Sequence, residues 1–309
     1  MKKIDLLLCV HLFIMSCGTV SEEPVINKGS AIIAIDEAIL PVIKAQISAY
    51  KIHYPMTTIN PRFVSEQKAI ALLLKDSVGM AATTRGLNAD ELKVMNSRGI
   101  KYNPARMAID AVALIVNKDN KDSTISLEKL KYLLTDKTSK TKLIFDKSNS
   151  SNLNSIMDKL EIKEININNI YAAEGNLNVF EKIKADQTAI GFIGYNWISD
   201  TDDSEDMKLK NSVKILGVSL KNSQNYFKPS LKNLKARNYP LERFIFIHTL
   251  SKNWGVENGF IRFSCSKVGQ LVTEKMGLVP FYIIPKEYIL NTEPLNKKIN
   301  NIFINFFSF

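Results

Sequence analysis

Short apolar runs alternate with stretches of helical period along most of the chain. Ala31-Ile32-Ile33-Ala34-Ile35 is an uninterrupted apolar run suited to a buried strand. Ile39, Ile43, Ile47 and Tyr50 then fall on one helical face, with Asp36 as the candidate N-cap between the two elements. A strand therefore ends at a helix N-terminus, where free backbone N–H groups and the helix dipole attract anions. The same grammar recurs. The pattern predicts a helix over 66–75, a strand over 78–82, the turn Thr83-Thr84-Arg85-Gly86-Leu87, and a capped helix opening at Asn88-Ala89-Asp90-Glu91. A long extended stretch from Ala108 to Asn117 carries Asp110 within an otherwise apolar run. A helix over 126–135 follows, with Leu127, Leu130, Leu133 and Leu134 as its apolar positions, and then the strand Leu143-Ile144-Phe145. The loop from Asp146 to Asn152 leads into a helix through Ile156 and Leu160. The strand over 189–194, an acidic loop expected to be exposed over 200–206, and a strand over 213–218 complete the series. Such alternation predicts an α/β fold with mainly parallel sheets covered by helices. Nearly 260 residues of it exceed one comfortable core, which points to two lobes.

The start of the chain has a different pattern. Lys2 and Lys3 precede a short apolar run, Leu6 to Met15, and then Ser16-Cys17-Gly18. The run is too short for a bilayer of about 30 Å and reads as a signal peptide over 1–16. Ile14-Met15-Ser16-Cys17 resembles the bacterial lipobox, which implies acylation of Cys17 (a palmitate-type anchor) and a polar tether over 17–30.

Charge and rare residues narrow the function classes. The chain carries 41 Lys+Arg against 31 Asp+Glu, a net +10 spread along its length, with Lys129, Lys131, Lys137, Lys140 and Lys142 close together. A diffuse positive field favours anionic ligands or surfaces. Nucleic acid is not expected as a partner, because no dense basic stripe is interleaved with aromatics. With Cys9 in the signal and Cys17 acylated, Cys265 remains alone and no disulfide framework is possible within one chain. His53 and His248 are the histidines beyond the signal and have no ligand spacing, so neither a metal nor a cofactor is expected. No nucleophile-elbow, Walker or dinucleotide motif occurs. The chain is not expected to be an enzyme.

Four stretches carry a family resemblance. They are Ala108-Ile109-Asp110-Ala111-Val112-Ala113-Leu114-Ile115-Val116-Asn117, Ala189-Ile190-Gly191-Phe192-Ile193-Gly194-Tyr195, Tyr239-Pro240-Leu241-Glu242-Arg243, and Phe260-Ile261-Arg262-Phe263 with Gly269-Gln270 and Gly277-Leu278-Val279-Pro280. In this order they resemble the phosphate-binding (PstS) family of ABC-transporter substrate-binding proteins, in its divergent lipoprotein branch. The resemblance implies a two-lobed periplasmic-binding-protein (Venus-flytrap) fold. Lobe 1 would be 31–110 plus 220–290 and lobe 2 would be 111–219, with two hinge crossings near 110–116 and 213–218 and a C-terminal tail over 291–309. It also implies a monomeric, envelope-anchored protein that captures a small oxyanion, inorganic phosphate first, for an ABC permease.

Carried over residue by residue, the ligand loops are Asp36-Glu37-Ala38, then Thr83-Thr84-Arg85, then Ser148, Ser150, Ser151 and Asn152. The third loop departs most from the family's Arg-x-x-Gly-Ser-Gly-Thr. Asp146 stands in place of the arginine and both glycines are gone, which removes a bidentate partner and room for close backbone approach. Two accounts fit. Phosphate is still bound, with Arg85 supplying charge, Ser150 a donor and Asp36 accepting the proton that phosphate carries and sulfate lacks. Alternatively, the crevice holds another ligand or none, and the protein is a sensor or interaction subunit of an envelope complex.

Overall fold

A computed structural model describes residues 24–282 apart from Lys221. The expected signal peptide, Cys17 with its lipid, and the C-terminal tail from residue 291 lie outside the described residues. In chain order the strands are β1 (Lys28–Asp36), β2 (Met56–Val64), β3 (Met80–Thr83), β4 (Ala105–Val116), β5 (Thr124–Ile125), β6 (Leu143–Phe145) and β7 (Ile170–Ala172). They continue as β8 (Ile190–Gly194), β9 (Lys214–Ile215), β10 (Gly217–Ser219), β11 (Tyr226–Phe227), β12 (Glu242–Thr249) and β13 (Val279–Pro280). The helices are α1 (Leu40–His53), α2 (Glu66–Leu74), α3 (Ala89–Ser97), α4 (Leu127–Thr135), α5 (Ser151–Leu160) and α6 (Asn176–Ala185). They end with α7 (Ser204–Ser212), α8 (Leu231–Lys235), α9 (Val256–Cys265) and α10 (Lys267–Lys275).

One strand organises the rest. β4 is almost wholly apolar and buried from Met107 to Val116. At about 3.3 Å per residue it is long enough to serve two sheet halves. Its first part pairs with β12, from Ala105 opposite Ile247 to Ala111 opposite Glu242. Its last part pairs with β8, from Val112 opposite Gly194 to Val116 opposite Ile190. The strand order is β2-β1-β3-β12-β4-β8-β6-β7. β1 is parallel to β2 and β3, and β6 is parallel to β7 and β8. Within this sheet parallel pairing is thus confined to the outer strands of each half, while β12 is antiparallel to both β3 and β4; β5 and β10 are parallel in a separate three-stranded sheet with β11. The result is the two-lobed α/β architecture, with helices on the faces of both halves.

Most expected elements appear at or near their expected places, and capping explains their starts. The Asn88 carbonyl oxygen accepts from the N–H groups of Asp90 and Glu91, and the Glu91 carboxylate reaches back to the Asn88 N–H. Ser126 caps α4 through the Lys129 N–H at 3.0 Å. Three expectations change. Asp36 precedes a short 3-10 turn, Glu37–Ile39, and its side chain makes no cap. The acidic stretch 200–206 is not a fully exposed loop: Asp200 is buried, and Asp203 caps α7 through the N–H groups of Glu205 and Asp206. The stretch 213–218 is two short strands rather than one, because Ile215 pairs with Ile115 of β4 whereas Gly217 and Val218 pair with β5.

β2 has no counterpart in the periodicity. It is an edge strand with Pro61 inside it and a largely exposed burial pattern. Proline is tolerated there because an edge strand leaves one row of N–H groups unpaired.

Candidate functional site

The β1, β2, β3 and β6 strands end on the same crevice between the sheet halves, and the loops after them carry polar side chains into it. At its centre is a buried ion pair between crossing strands. Arg243 of β12 lies directly opposite Asp110 of β4, and its Nη2 and Nε donate to Asp110 Oδ2 at 3.0 and 3.2 Å. Asn196, just after β8, donates its N–H and Nδ2 to the two oxygens of the same carboxylate, each at 3.1 Å. The third guanidinium nitrogen, Nη1, donates to Asn152 Oδ1 at 2.9 Å.

The expected ligand loops meet here, but largely through one another. Ser151 at the start of α5 donates to Asp36 Oδ2 at 2.5 Å, which joins the two halves. Ser150 caps α5 through the Leu153 N–H and also donates to Asp146, whose carboxylate accepts from Asn152 Nδ2 at 2.8 Å as well. Glu37 accepts from the N–H and Nδ2 of Asn176 at 3.0 and 2.8 Å, so a carboxylate from lobe 1 occupies the N-terminus of α6. The carbonyl of Ala38 accepts from Asn196 Nδ2 at 2.8 Å. Gly194 permits that junction: a Cβ there would lie 2.1 Å from the Ala38 oxygen. Ser148 stands apart, exposed on the turn.

The second loop is tied in the same way. Glu66, the first residue of α2, is buried and accepts from both the N–H and the hydroxyl of Thr84 at 2.7 Å. Arg85 forks onto Glu91 with Nη1–Oε2 at 2.8 Å and Nη2–Oε1 at 2.9 Å, and its Nε lies 3.5 Å from Glu66 Oε2. Thr83 donates to the carbonyl of Arg85 and lies 2.7 Å from His248 Nε2, while Tyr102 OH lies 3.0 Å from His248 Nδ1. Burial pushes His248 down to about 4, so it is a neutral part of the packing. His53, by contrast, is exposed.

Burial dominates the electrostatics of this floor. Loss of water, reinforced by the Glu66 and Asp146 carboxylates, pushes the Asp36 carboxyl up to about 8. Burial likewise raises Asp146 and Glu37. Asp36 is therefore protonated in the native state at neutral pH and ionised in the unfolded chain. Between the two pKa values the native state holds the extra proton, so the stability present at acid pH is lost as pH rises from about 4 to 8. Urea midpoints across this range are expected to fall in the native protein relative to Asp36→Asn. A difference that does not change with pH would contradict the assignment.

Beside this floor lies a cavity of about 260 Å³ between the halves. Thr84, Ile109 and Phe244 wall it from the β3–β12–β4 side, and Ser155, Asp158 and Lys159 from α5. Arg237, Glu242 and Arg243 complete its lining. Among the described residues no group of His, Cys, Asp and Glu is placed to hold a metal, and no helix is long and apolar enough to cross a membrane.

A family model for the PBP superfamily domain matches residues 24–268. The chain belongs to the PBP superfamily. Within it, the chain is PstS-like. It is 26% identical to the phosphate-binding protein PstS of Staphylococcus saprophyticus over 60% of this chain and 59% of that one, so it spans about three-fifths of that relative. The PstS of Staphylococcus haemolyticus is 23% identical over 79% of this chain and 78% of its own. Among solved structures, a phosphate ABC transporter substrate-binding protein of Clostridium perfringens with bound phosphate superposes with a TM-score of 0.67. That superposition has 19% identity and covers 82% of this chain and 100% of the other. An ABC-type phosphate transport receptor of Vibrio cholerae gives 0.60 at 17% identity, with coverage of 82% and 100%. These likenesses support the fold of this PBP-superfamily chain.

The tether of Glu66 on Thr84 is not legible in any single loop. Asp110 and Arg243 are visible in the sequence, but not as a pair. A charge inside a continuous apolar strand was the available signal, since a buried carboxylate needs a partner.

Proposed function

We propose that the protein is the solute-binding lipoprotein of an envelope ABC importer, taking a small oxyanion between its lobes, with inorganic phosphate the first candidate. The observation that carries this reading is the cavity between the halves, lined by Arg243, which spends three of its five N–H groups on Asp110 and Asn152, and by the hydroxyl-bearing Ser155. A guanidinium beside a hydroxyl is suited to an oxyanion. The phosphate-binding relatives, and the bound phosphate in the Clostridium perfringens structure, agree with it. Lobe 1 is taken as 31–110 plus 220–290 and lobe 2 as 111–219, closing about hinge crossings near 110–116 and 213–218. Anchoring would come through Cys17. The protein would bind and release its solute without altering it chemically.

The oxyanion would sit against Arg243 rather than at the helix N-termini, where the carboxylates of Asp36, Asp146 and Glu37 already stand, accepting from the side chains of Ser151, Ser150 and Asn152 and from Asn176. Those same contacts favour a second reading, a sensor or interaction lipoprotein that binds no phosphate.

Calorimetric titration with inorganic phosphate separates them. One-to-one binding is expected, weakened at least about tenfold in Ser155→Ala, the effect of one lost charge-assisted hydrogen bond. Arg85→Ala is expected to keep phosphate affinity within about threefold, because its guanidinium is committed to Glu91 and Glu66. No heat from the native protein would favour the second reading, and a large loss in Arg85→Ala would return the site to the second loop.

A further inference from the structure

Among the described residues the four most exposed large apolar side chains are Ile52 at 81%, Ile167 at 75%, Met56 at 66% and Trp254 at 64%. Three of these four belong to one end of the half that begins with β1. Met56 opens β2 and pairs with Lys28 at the start of β1, and Ile52 lies four residues earlier on the last turn of α1. On that same turn the Tyr50 hydroxyl donates to the carbonyl of Ile26, just before β1. Trp254 stands in the loop between β12 and α9, and this loop meets the same segment. Pro24, Val25 and Lys28 line one surface cavity together with Ser251, Asn253 and Gly255. Val25 is itself exposed. Scattered apolar side chains are ordinary on a protein surface, whereas a group of them bordered by charge marks a contact. Across 24–30, 50–57 and 251–257 the charged groups are Lys28, Lys51 and Lys252 against Glu257. An exposed indole among lysines suits the boundary between water and an anionic bilayer, where the ring sits at headgroup level and the ammonium groups meet lipid phosphates.

We infer that this end of the protein is a contact surface for an anionic phospholipid bilayer, entered by Val25, Ile52, Met56 and Trp254 and attracted through Lys28, Lys51 and Lys252. This rests on the reading of Cys17 as the acylated residue and says how the anchored protein stands on its membrane. Seven residues separate Cys17 from Pro24, a reach of at most about 25 Å at ~3.6 Å per residue. The stretch that begins at Pro24 is therefore held within that distance of the bilayer, and the exposed apolar group lies around it. The orientation is compatible with solute capture. β1 and β2 begin at this surface and end on the crevice, nine residues away, roughly 30 Å at ~3.3 Å per residue. Contact at the near end leaves the cavity between the halves open to the aqueous side.

The test uses the native protein, extracted from its membrane and reconstituted into vesicles of equal parts phosphatidylcholine and phosphatidylglycerol, with brominated acyl chains as a contact quencher. Flotation reads anchoring, and tryptophan emission reads contact. The chain has two tryptophans, and they separate the signal, because Trp197 is buried and Trp254 is not. Emission is expected to be quenched in brominated vesicles relative to unbrominated ones, and the loss is expected to vanish in Trp254→Phe. Raising the salt from about 0.1 M to about 1 M shortens the Debye length from about 10 to about 3 Å and is expected to reduce the quenching. Lys252→Glu and, separately, Ile52→Ser, both at exposed positions, are expected to reduce it while flotation stays unchanged. Flotation without quenching overturns the inference, leaves the lipid anchor intact and points the apolar group to a protein partner. Quenching that persists in Trp254→Phe, or is undiminished in both other variants, overturns the assignment to this face. Failure to float overturns the anchor and the inference with it.

Discussion

Replacing Arg243 with methionine is expected to lower the unfolding free energy by about 3–5 kcal/mol, measured by urea denaturation. The argument is one of uncompensated charge. Side-chain exposure is 4% for Arg243 and 0% for Asp110, so the carboxylate left behind has no water to replace the guanidinium. Asn196 would still donate to it, but no cation would face it. The Asn152 carbonyl oxygen would lose its partner too, loosening the first turn of α5. Because β4 runs through both sheet halves and Arg243 also ties to Asn152 of α5, the loss should appear as one cooperative transition at lower urea. The double variant Asp110→Leu/Arg243→Met is expected to recover part of it, since replacing both ions with apolar groups removes the stranded charge. A single Arg243→Met variant as stable as the native protein would mean that the pair contributes nothing to the junction.

Gly194→Ala is expected to cost about 1–3 kcal/mol, the usual range for overpacking a well-filled site. Gly194 has φ −64 and ψ 131, a conformation open to any residue, so the conflict is one of space alone. An added methyl would lie 2.1 Å from the Ala38 carbonyl oxygen and 2.7 Å from Asn196 Nδ2, the two ends of one hydrogen bond between the lobes. The Ala38 atom belongs to the backbone and cannot swing aside as a side chain would. Relief has to come from separation of the 3-10 turn, Glu37–Ile39, from the end of β8. The variant should therefore unfold at lower urea and also show a larger radius of gyration by small-angle scattering. A variant of native stability and native dimensions would show that the lobes are not held together at this contact.

The sequence made the fold legible where an element announces itself by period or cap. β6 appears over its expected residues, α4 begins one residue after its expected start, and α3 opens on the capping box of Asn88 and Glu91. β2 was hidden because an edge strand has no continuous apolar run, and Pro61 reads locally as a breaker. Glu66 is legible as the start of α2, but its contact with Thr84, 18 positions away, is not. The first and third expected loops meet through Asp36 and Ser151, while Ser148 is exposed. Their partners could not be read from single loops. Asp36 and Ser151 are 115 positions apart, and Arg85 reaches Glu91 rather than the crevice. Loop composition supplies hydroxyls and charges, but only the fold decides which of them satisfy one another and which remain for a ligand.

The central claim is that an oxyanion is held between the lobes at Arg243. A crystal structure of the protein grown in saturating inorganic phosphate tests it most directly. The account predicts density for one phosphate in the cavity walled by Thr84, Ser155 and Arg243, within hydrogen-bonding distance of the Ser155 hydroxyl. An empty cavity at saturating phosphate, or phosphate bound only outside the crevice, would contradict it.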